Sequence, residues 1–188
     1  MRSAWVSLSA LAAAVVVISN VEASPPKTQR YGLGRLATVE EVRARDLSIA
    51  PDGRGLPPGS GTARQGQAVY VARCVSCHGV RGEGVGPYPP IAGGRGTLAS
   101  SDPIVTVTSY WPFATSAWDY IRRAMPYDRP GSLSADEVYA VTAYVLRLDS
   151  IVDLDTVLDA TTLPSITMPN RDGFVPDPRP DVPTLPAR

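Results

Sequence analysis

Histidine occurs once in this chain of 188 residues, cysteine twice, and Lys27 is the only lysine among 18 basic residues. Each shortage excludes something. A structural zinc site needs four Cys or His ligands, and three candidates cannot supply them. Two cysteines close at most one disulfide, so no disulfide framework holds the chain together. A formal net charge of +0 argues against nucleic acid as a partner, which requires a basic face. With one lysine there is no lysine ring to steer a diffusing carrier onto its partners, and this favours a stable partner over many transient ones. Long apolar runs are also missing. The one uncharged apolar stretch, residues 5–18, falls short of the roughly 20 residues that a spanning helix needs.

What is present is concentrated. Both cysteines and the histidine fall inside Cys74-Val75-Ser76-Cys77-His78. C-x-x-C-H is the attachment signature of a c-type haem. Residues i and i+3 of a helix lie on one face with Cβ atoms roughly 5–6 Å apart, so two thiols at that spacing can each bond one vinyl group along a porphyrin edge. His78, the next residue, then turns its imidazole under the iron. A redox dithiol would want a strand-helix-strand setting of the thioredoxin kind, which does not surround the motif, and a plain disulfide would leave His78 unexplained. The expected cofactor is one covalently attached haem c, with Cys74, Cys77 and His78 as its attachment and ligand residues.

Residues 1–23 read as a signal peptide: Arg2 gives the positive start, residues 5–18 the apolar stretch, and Val21-Glu22-Ala23 the small-residue cleavage site. An uncleaved anchor is the alternative. Export suits haem attachment, which takes place outside the cytoplasm, so a soluble periplasmic protein is expected, with no membrane span after cleavage. Residues 24–58 read as an N-terminal arm. In it Thr38-Val39-Glu40-Glu41 forms a capping box that opens a helix to about Arg45, residues 46–50 suggest a short strand, and Pro51-Asp52-Gly53 a turn. Residues 59–150 form the haem domain. Residues 151–188 form a proline-rich tail, since seven of the 19 prolines lie after residue 160. Residues 152–158 suggest a turn or two of helix there, and from Pro176 onward the chain is expected to be extended.

Within the haem domain the pattern is helical. Thr62 and Gln65 cap a first helix to about Cys74, with Gly66 and Tyr70 on one face. A second helix covers residues 115–124, with Ala117, Trp118, Ile121 and Ala124 as its apolar face. A third follows the capping box Ser134-Ala135-Asp136-Glu137, and Val138, Val141, Tyr144, Val145 and Leu148 keep helical spacing. Tyr144 is placed to lie across Gly66 and Tyr70. Between the first two helices runs a loop containing Gly79, Gly82, Gly84 and Gly86, followed by Pro87, Pro89 and Pro90. Its small side chains suit backbone lying against a porphyrin, and a proline carbonyl in it can accept the Nδ1 proton of His78.

A second imidazole is impossible for the sixth iron position. Met125 and Met168 remain, because Met1 leaves with the signal peptide. Met125 stands between the second and third helices, where a loop can cross the haem face opposite His78, whereas Met168 would require the tail to fold back. Lys27 or an open iron are the other options. Met125 is the expected ligand, His/Met ligation raises the potential, and a haem with both axial positions filled carries electrons without bond chemistry.

Residues 62–148 resemble a class I cytochrome c. The resemblance rests on Gly66 and Tyr70 before the pentapeptide, Pro89-Pro90-Ile91-Ala92-Gly93, Met125-Pro126 and a last helix with Tyr144. It implies an all-α haem domain, here with extended N- and C-terminal arms. It also implies that Pro89 is the proline whose carbonyl supports the haem histidine, with Pro87 a nearby competitor. Tyr31-Gly32-Leu33-Gly34-Arg35, the stretch 51–61, Trp111-Pro112-Phe113 and Met168-Pro169-Asn170-Arg171-Asp172-Gly173-Phe174 are similar to the cytochrome subunit of periplasmic sulfur and sulfite dehydrogenases, the SoxD-like group. That likeness implies a molybdenum-cofactor dehydrogenase subunit as partner, oxidising sulfite or a protein-bound sulfane sulfur. It also implies a soluble cytochrome c as electron acceptor, and no catalytic site on this chain. A free-standing soluble carrier serving an oxidase or photosynthetic chain is the alternative function. An enzyme or sensor with an open iron is a third, which requires that Met125 not ligate. On the first reading, the two arms wrap the partner, with Phe174 and the apolar run 163–168 as anchors; the alternative is that both arms fold back on their own haem domain.

Overall fold

The computed structural model describes residues 33–177 and 179. The signal-peptide expectation and residues 24–32 of the N-terminal arm, Lys27 among them, lie outside the described residues, as do the last prolines. The chain divides into two units, residues 1–38 and 39–188. In the first, residues 33–38 are irregular with a bend at Gly34.

Helix α1, Val39–Arg45, carries Glu40 and Glu41 in its first turn and Arg43 and Arg45 in its last, the order that opposes the helix dipole. It buries no residue. The strand expected at 46–50 does not form. Asp46 accepts from the Ser48 amide at 3.2 Å, a local side-chain bond that competes with a ladder. Ile49 and Leu56 instead pack against the main core. The first strand, β1, is Ser60–Thr62.

Helix α2, Ala63–Arg73, starts at Thr62, whose hydroxyl accepts from the Gln65 amide while the Gln65 side chain returns to the Thr62 amide. Helix α6, Ala135–Leu148, begins with the same device between Ser134 and Glu137. These two helices cross closely. A Cβ on Gly66 would run into the backbone of Ala140, so glycine is what lets the axes meet. Tyr70 and Tyr144 lie across the same crossing with centroids 5.1 Å apart.

Helix α5, Ala114–Ala124, lays Ala114, Ala117 and Trp118 against α6, with Trp118 and Tyr139 tilted at 5.1 Å. Between α2 and α5 stand two short helices, α3 (Val75–His78) and α4 (Val107–Tyr110). The sequence reading did not foresee α4. Its cap is Thr106 with Ser109 at N3, hydrogen-bonded reciprocally, a polar pair outside the Glu/Gln rule of the capping box.

The C-terminal segment differs most from expectation. Residues 152–158 are not helical. Val157–Asp159 forms β2, antiparallel to β1 with Gly61 opposite Leu158, and Leu163–Ser165 is a 3-10 turn. Leu158 and Leu163 are 0% exposed and Met168 1%, and they share one core with Ala63, Trp118, Tyr139 and Leu146. The tail thus folds back on its own haem domain, and its apolar run is not free to anchor a partner. The physical reason is area. Full burial of a Leu or Met side chain stabilises by about 1.5–3 kcal/mol, and these side chains find Trp118 of α5 and Tyr139 and Leu146 of α6 in the same core. Beyond the core the segment still touches the domain: Thr167 bridges Phe113, Asn170 donates to the Tyr110 carbonyl at 2.8 Å, and Phe174 meets Tyr110 edge-on at 5.2 Å.

Candidate haem site

The last turn of α2 delivers the pentapeptide. The Cys74 amide donates to the Tyr70 carbonyl at 2.8 Å, and the Cys77 and His78 amides donate to the Cys74 carbonyl at 3.2 and 2.9 Å. Cys74 and Cys77 therefore stand one helical turn apart, both as free, half-buried thiols. Burial, and then the neighbouring Cys77, push the Cys74 thiol up to about 11. It is protonated at neutral pH, a poor state for a thiolate metal ligand. Among the described residues no three His, Cys, Asp or Glu side chains converge on a possible metal position.

His78 closes α3. Its Nδ1 is buried and has no hydrogen bond of normal geometry. Burial lowers its pKa, and the Pro89 backbone opposes that by raising it. Burial, the larger effect, thus favours the neutral imidazole, the form that ligates a metal. The loop carrying Pro89 is fixed from both sides. The Gly84 amide donates to the His78 carbonyl at 2.9 Å, and the Ile91 and Ala92 amides donate to the Gly82 carbonyl at 2.8 and 3.2 Å. The Tyr70 hydroxyl donates to the Gly79 carbonyl at 2.8 Å, which holds the turn after His78 against α2.

Around Cys74 lies a second apolar cluster. Tyr70, Val141 and Val145 are buried at its base, and Ile91, Val107, Ile121, Leu133, Tyr144 and Leu148 are only partly covered. Half-exposed apolar side chains from five different segments, facing one another beside two thiols and an unpartnered imidazole nitrogen, suit a flat apolar group bonded through the thiols. These residues fit a haem.

The two methionines separate cleanly. Met168 is sealed in the main core with Trp118. Met125 is the C-cap of α5, half-buried, with its amide on the Ile121 carbonyl at 3.0 Å and a cis bond to Pro126. It stands one turn beyond Ile121 of the apolar cluster.

Residues 63–149 match the family model for cytochrome c. Among solved structures, the chain is similar to a chain in the crystal structure of the sulfane dehydrogenase SoxCD from Paracoccus pantotrophus. The identity is 41%, the TM-score 0.73, and the match covers 81% of this chain and 75% of that one. The protein belongs to the cytochrome c family. No curated protein matches it.

As a cytochrome c it carries covalently attached haem c and transfers electrons. Cys74 and Cys77 fit the attachment motif. When bound, the haem supplies a one-electron couple. The all-α class expected for the domain agrees with six helices and one short two-stranded ribbon among the described residues of the cytochrome. None of those helices is long and apolar enough to cross a membrane. The sequence reading missed Thr106, Thr108 and Asp149, which hold the haem-side loops. Their partners are up to 56 residues away in the chain, so no local pattern marks them.

Proposed function

We propose that this cytochrome c is the electron-transfer subunit of a periplasmic, molybdenum-dependent dehydrogenase acting on sulfite or a sulfane sulfur, and that it passes electrons on to a soluble cytochrome c. The observation that carries this reading is the 41% identity to a SoxCD chain across 81% of the cytochrome, well beyond the haem core at 63–149. Cys74 and Cys77 hold the haem through thioethers, His78 and Met125 are its axial ligands, and the Pro89 carbonyl accepts from His78. The burial of Met168 supports Met125, because Met168 could reach the iron only by vacating the core.

The haem domain at 59–150 is flanked by segments that contribute to holding the partner where they do not pack at home. Two features support this. Val39 and Val42 of α1 are 68% and 54% exposed with no residue of that helix buried, and Val175 is 85% exposed. The test is purification of the cytochrome from its native periplasm, with metal analysis of the complex. Co-elution with a molybdenum-containing subunit is the expected result. A cytochrome that elutes alone and without molybdenum would favour the free-standing carrier.

A further inference from the structure

Asp149 places a carboxylate where a helix tolerates negative charge least. It is the C-cap of α6, and the carbonyl end of a helix carries the equivalent of roughly half a negative charge. A residue that breaks a local rule is expected where the fold uses it for something else.

Its bonds show what that use is. The carboxylate Oδ2 accepts from the Gly93 amide at 2.6 Å and from the Thr108 hydroxyl. The Asp149 carbonyl accepts from Arg95 at 2.9 Å. The Thr106 hydroxyl donates to the Gly93 carbonyl at 2.7 Å. One side chain at the end of the last core helix thus clamps the loop at Gly93 and the start of α4. These are the two segments that bring Ile91 and Val107 into the cluster around Cys74. Moving back along the loop, Ile91 and Ala92 hang on the Gly82 carbonyl, and Pro89, the residue whose backbone acts on His78, comes two positions earlier. From Gly82 to Gly93 the loop is a strap fixed at both ends, and Asp149 is its distant fixing point.

We propose that Asp149 is a positioning residue for the haem histidine: by holding Gly93 it sets how closely the Pro89 carbonyl approaches His78 Nδ1. A stronger bond at Nδ1 raises the basicity of the ligating imidazole, which favours the ferric haem, and second-sphere hydrogen bonding is one of the levers on a haem's potential. The inference rests on the haem reading given above and is independent of the dehydrogenase partner.

The test uses the haem-loaded full chain with Asp149→Ala and Asp149→Asn. Two quantities are read: the midpoint potential, and the exchange rate of the His78 Nδ1 proton by nuclear magnetic resonance in the reduced protein. Asp149→Ala is expected to raise the midpoint and to speed exchange about tenfold, which is ~1.4 kcal/mol. Asp149→Asn keeps an acceptor oxygen for Gly93 and is expected to restore both. An Asp149→Ala protein that melts earlier but keeps the wild-type midpoint and exchange rate would reduce Asp149 to a stability residue and overturn the proposal. An Asn variant displaced as far as the Ala variant would overturn it too, by showing that charge acts and position does not. Thr108→Val provides a milder variant should the alanine protein fail to load haem. It removes one of the two donors to the Asp149 carboxylate at a fully buried site of matching shape, and should move both readouts the same way by less. No movement there counts against the proposal. Failure of wild-type protein to retain haem under denaturing electrophoresis would sink the haem reading itself, a separable result.

Discussion

Methionine at position 125 and methionine at position 168 have the same side chain and opposite surroundings, and the difference can be measured. Met125→Ala should abolish the weak long-wavelength band of iron–thioether bonding in the oxidised protein and admit carbon monoxide to the reduced haem, with little loss of stability from a half-buried site. Met168→Ala should leave that band intact and cost about 2–5 kcal/mol, the range for emptying a core position, read as a fall in denaturant midpoint. The reverse pattern would make Met168 the ligand. Ser150 is a second informative residue. It has φ +55, and it follows α6 in the position that glycine usually takes: the Ser150 amide returns to the Arg147 carbonyl at 2.9 Å and the Ile151 amide to the Leu146 carbonyl at 3.1 Å. A side chain in left-handed geometry is costly, so Ser150→Gly should stabilise the cytochrome by about 0.5–1 kcal/mol, seen as a higher melting temperature with an unchanged haem spectrum.

At the scale of elements, α6 depends on its cap. Ser134→Ala should cost about 1 kcal/mol, or ~2–4 °C in melting temperature for a chain of this size. The same cap gives a pH signature. Hydrogen bonds from the Ser134 amide and hydroxyl hold Glu137 below its ordinary value of 4.5. A depressed carboxylate stabilises fully above the unfolded value, and the contribution is lost as pH falls through the folded one. Acid titration below pH 4.5 should therefore destabilise wild type more than Glu137→Gln. If the two proteins track each other, the box does not contribute. Caps of this kind made α2 and α6 legible in the sequence, because each is a local bond among four residues. The pentapeptide was legible for the same reason. The ribbon of β1 and β2 was not, since three residues are too few for an alternation to register and each strand needs the other to exist. Residues 46–50 misled in the opposite direction: Leu47 and Ile49 alternate as a strand would, but no neighbouring strand pairs with them. Asp149 was invisible because its meaning lies in Gly93 and Thr108, which only the folded chain brings to it.

For the whole molecule, residues beyond 150 complete the core on which the haem domain rests. A chain trimmed to 59–150 loses Leu158, Leu163 and Met168 from the core, together about 5–9 kcal/mol of burial, against a total stability of about 5–15 kcal/mol for a typical domain. Such a chain should fail to hold a native haem spectrum, whereas a chain ending after residue 174 should keep it. A normal spectrum from the shorter chain would mean that the C-terminal segment only lies on a domain complete without it. The length of proline-rich sequence after residue 160 concealed this, because proline marks where helices cannot continue and says nothing about what the extended chain then covers.

The ribbon also determines how the cytochrome yields to force. Ser60 pairs with Asp159 and Thr62 with Val157, so the chain enters β1 and leaves β2 at the same end of the pair. Tension between the two flanking segments then pulls the strands apart like a zipper, one backbone bond at a time, and does not load them together in shear. Tension from the C-terminal side must first draw Met168 and Leu163 out of the core, and only then Leu158 with β2. A partner that tugs on both flanks would thus peel the C-terminal segment from its core before it unzipped the ribbon.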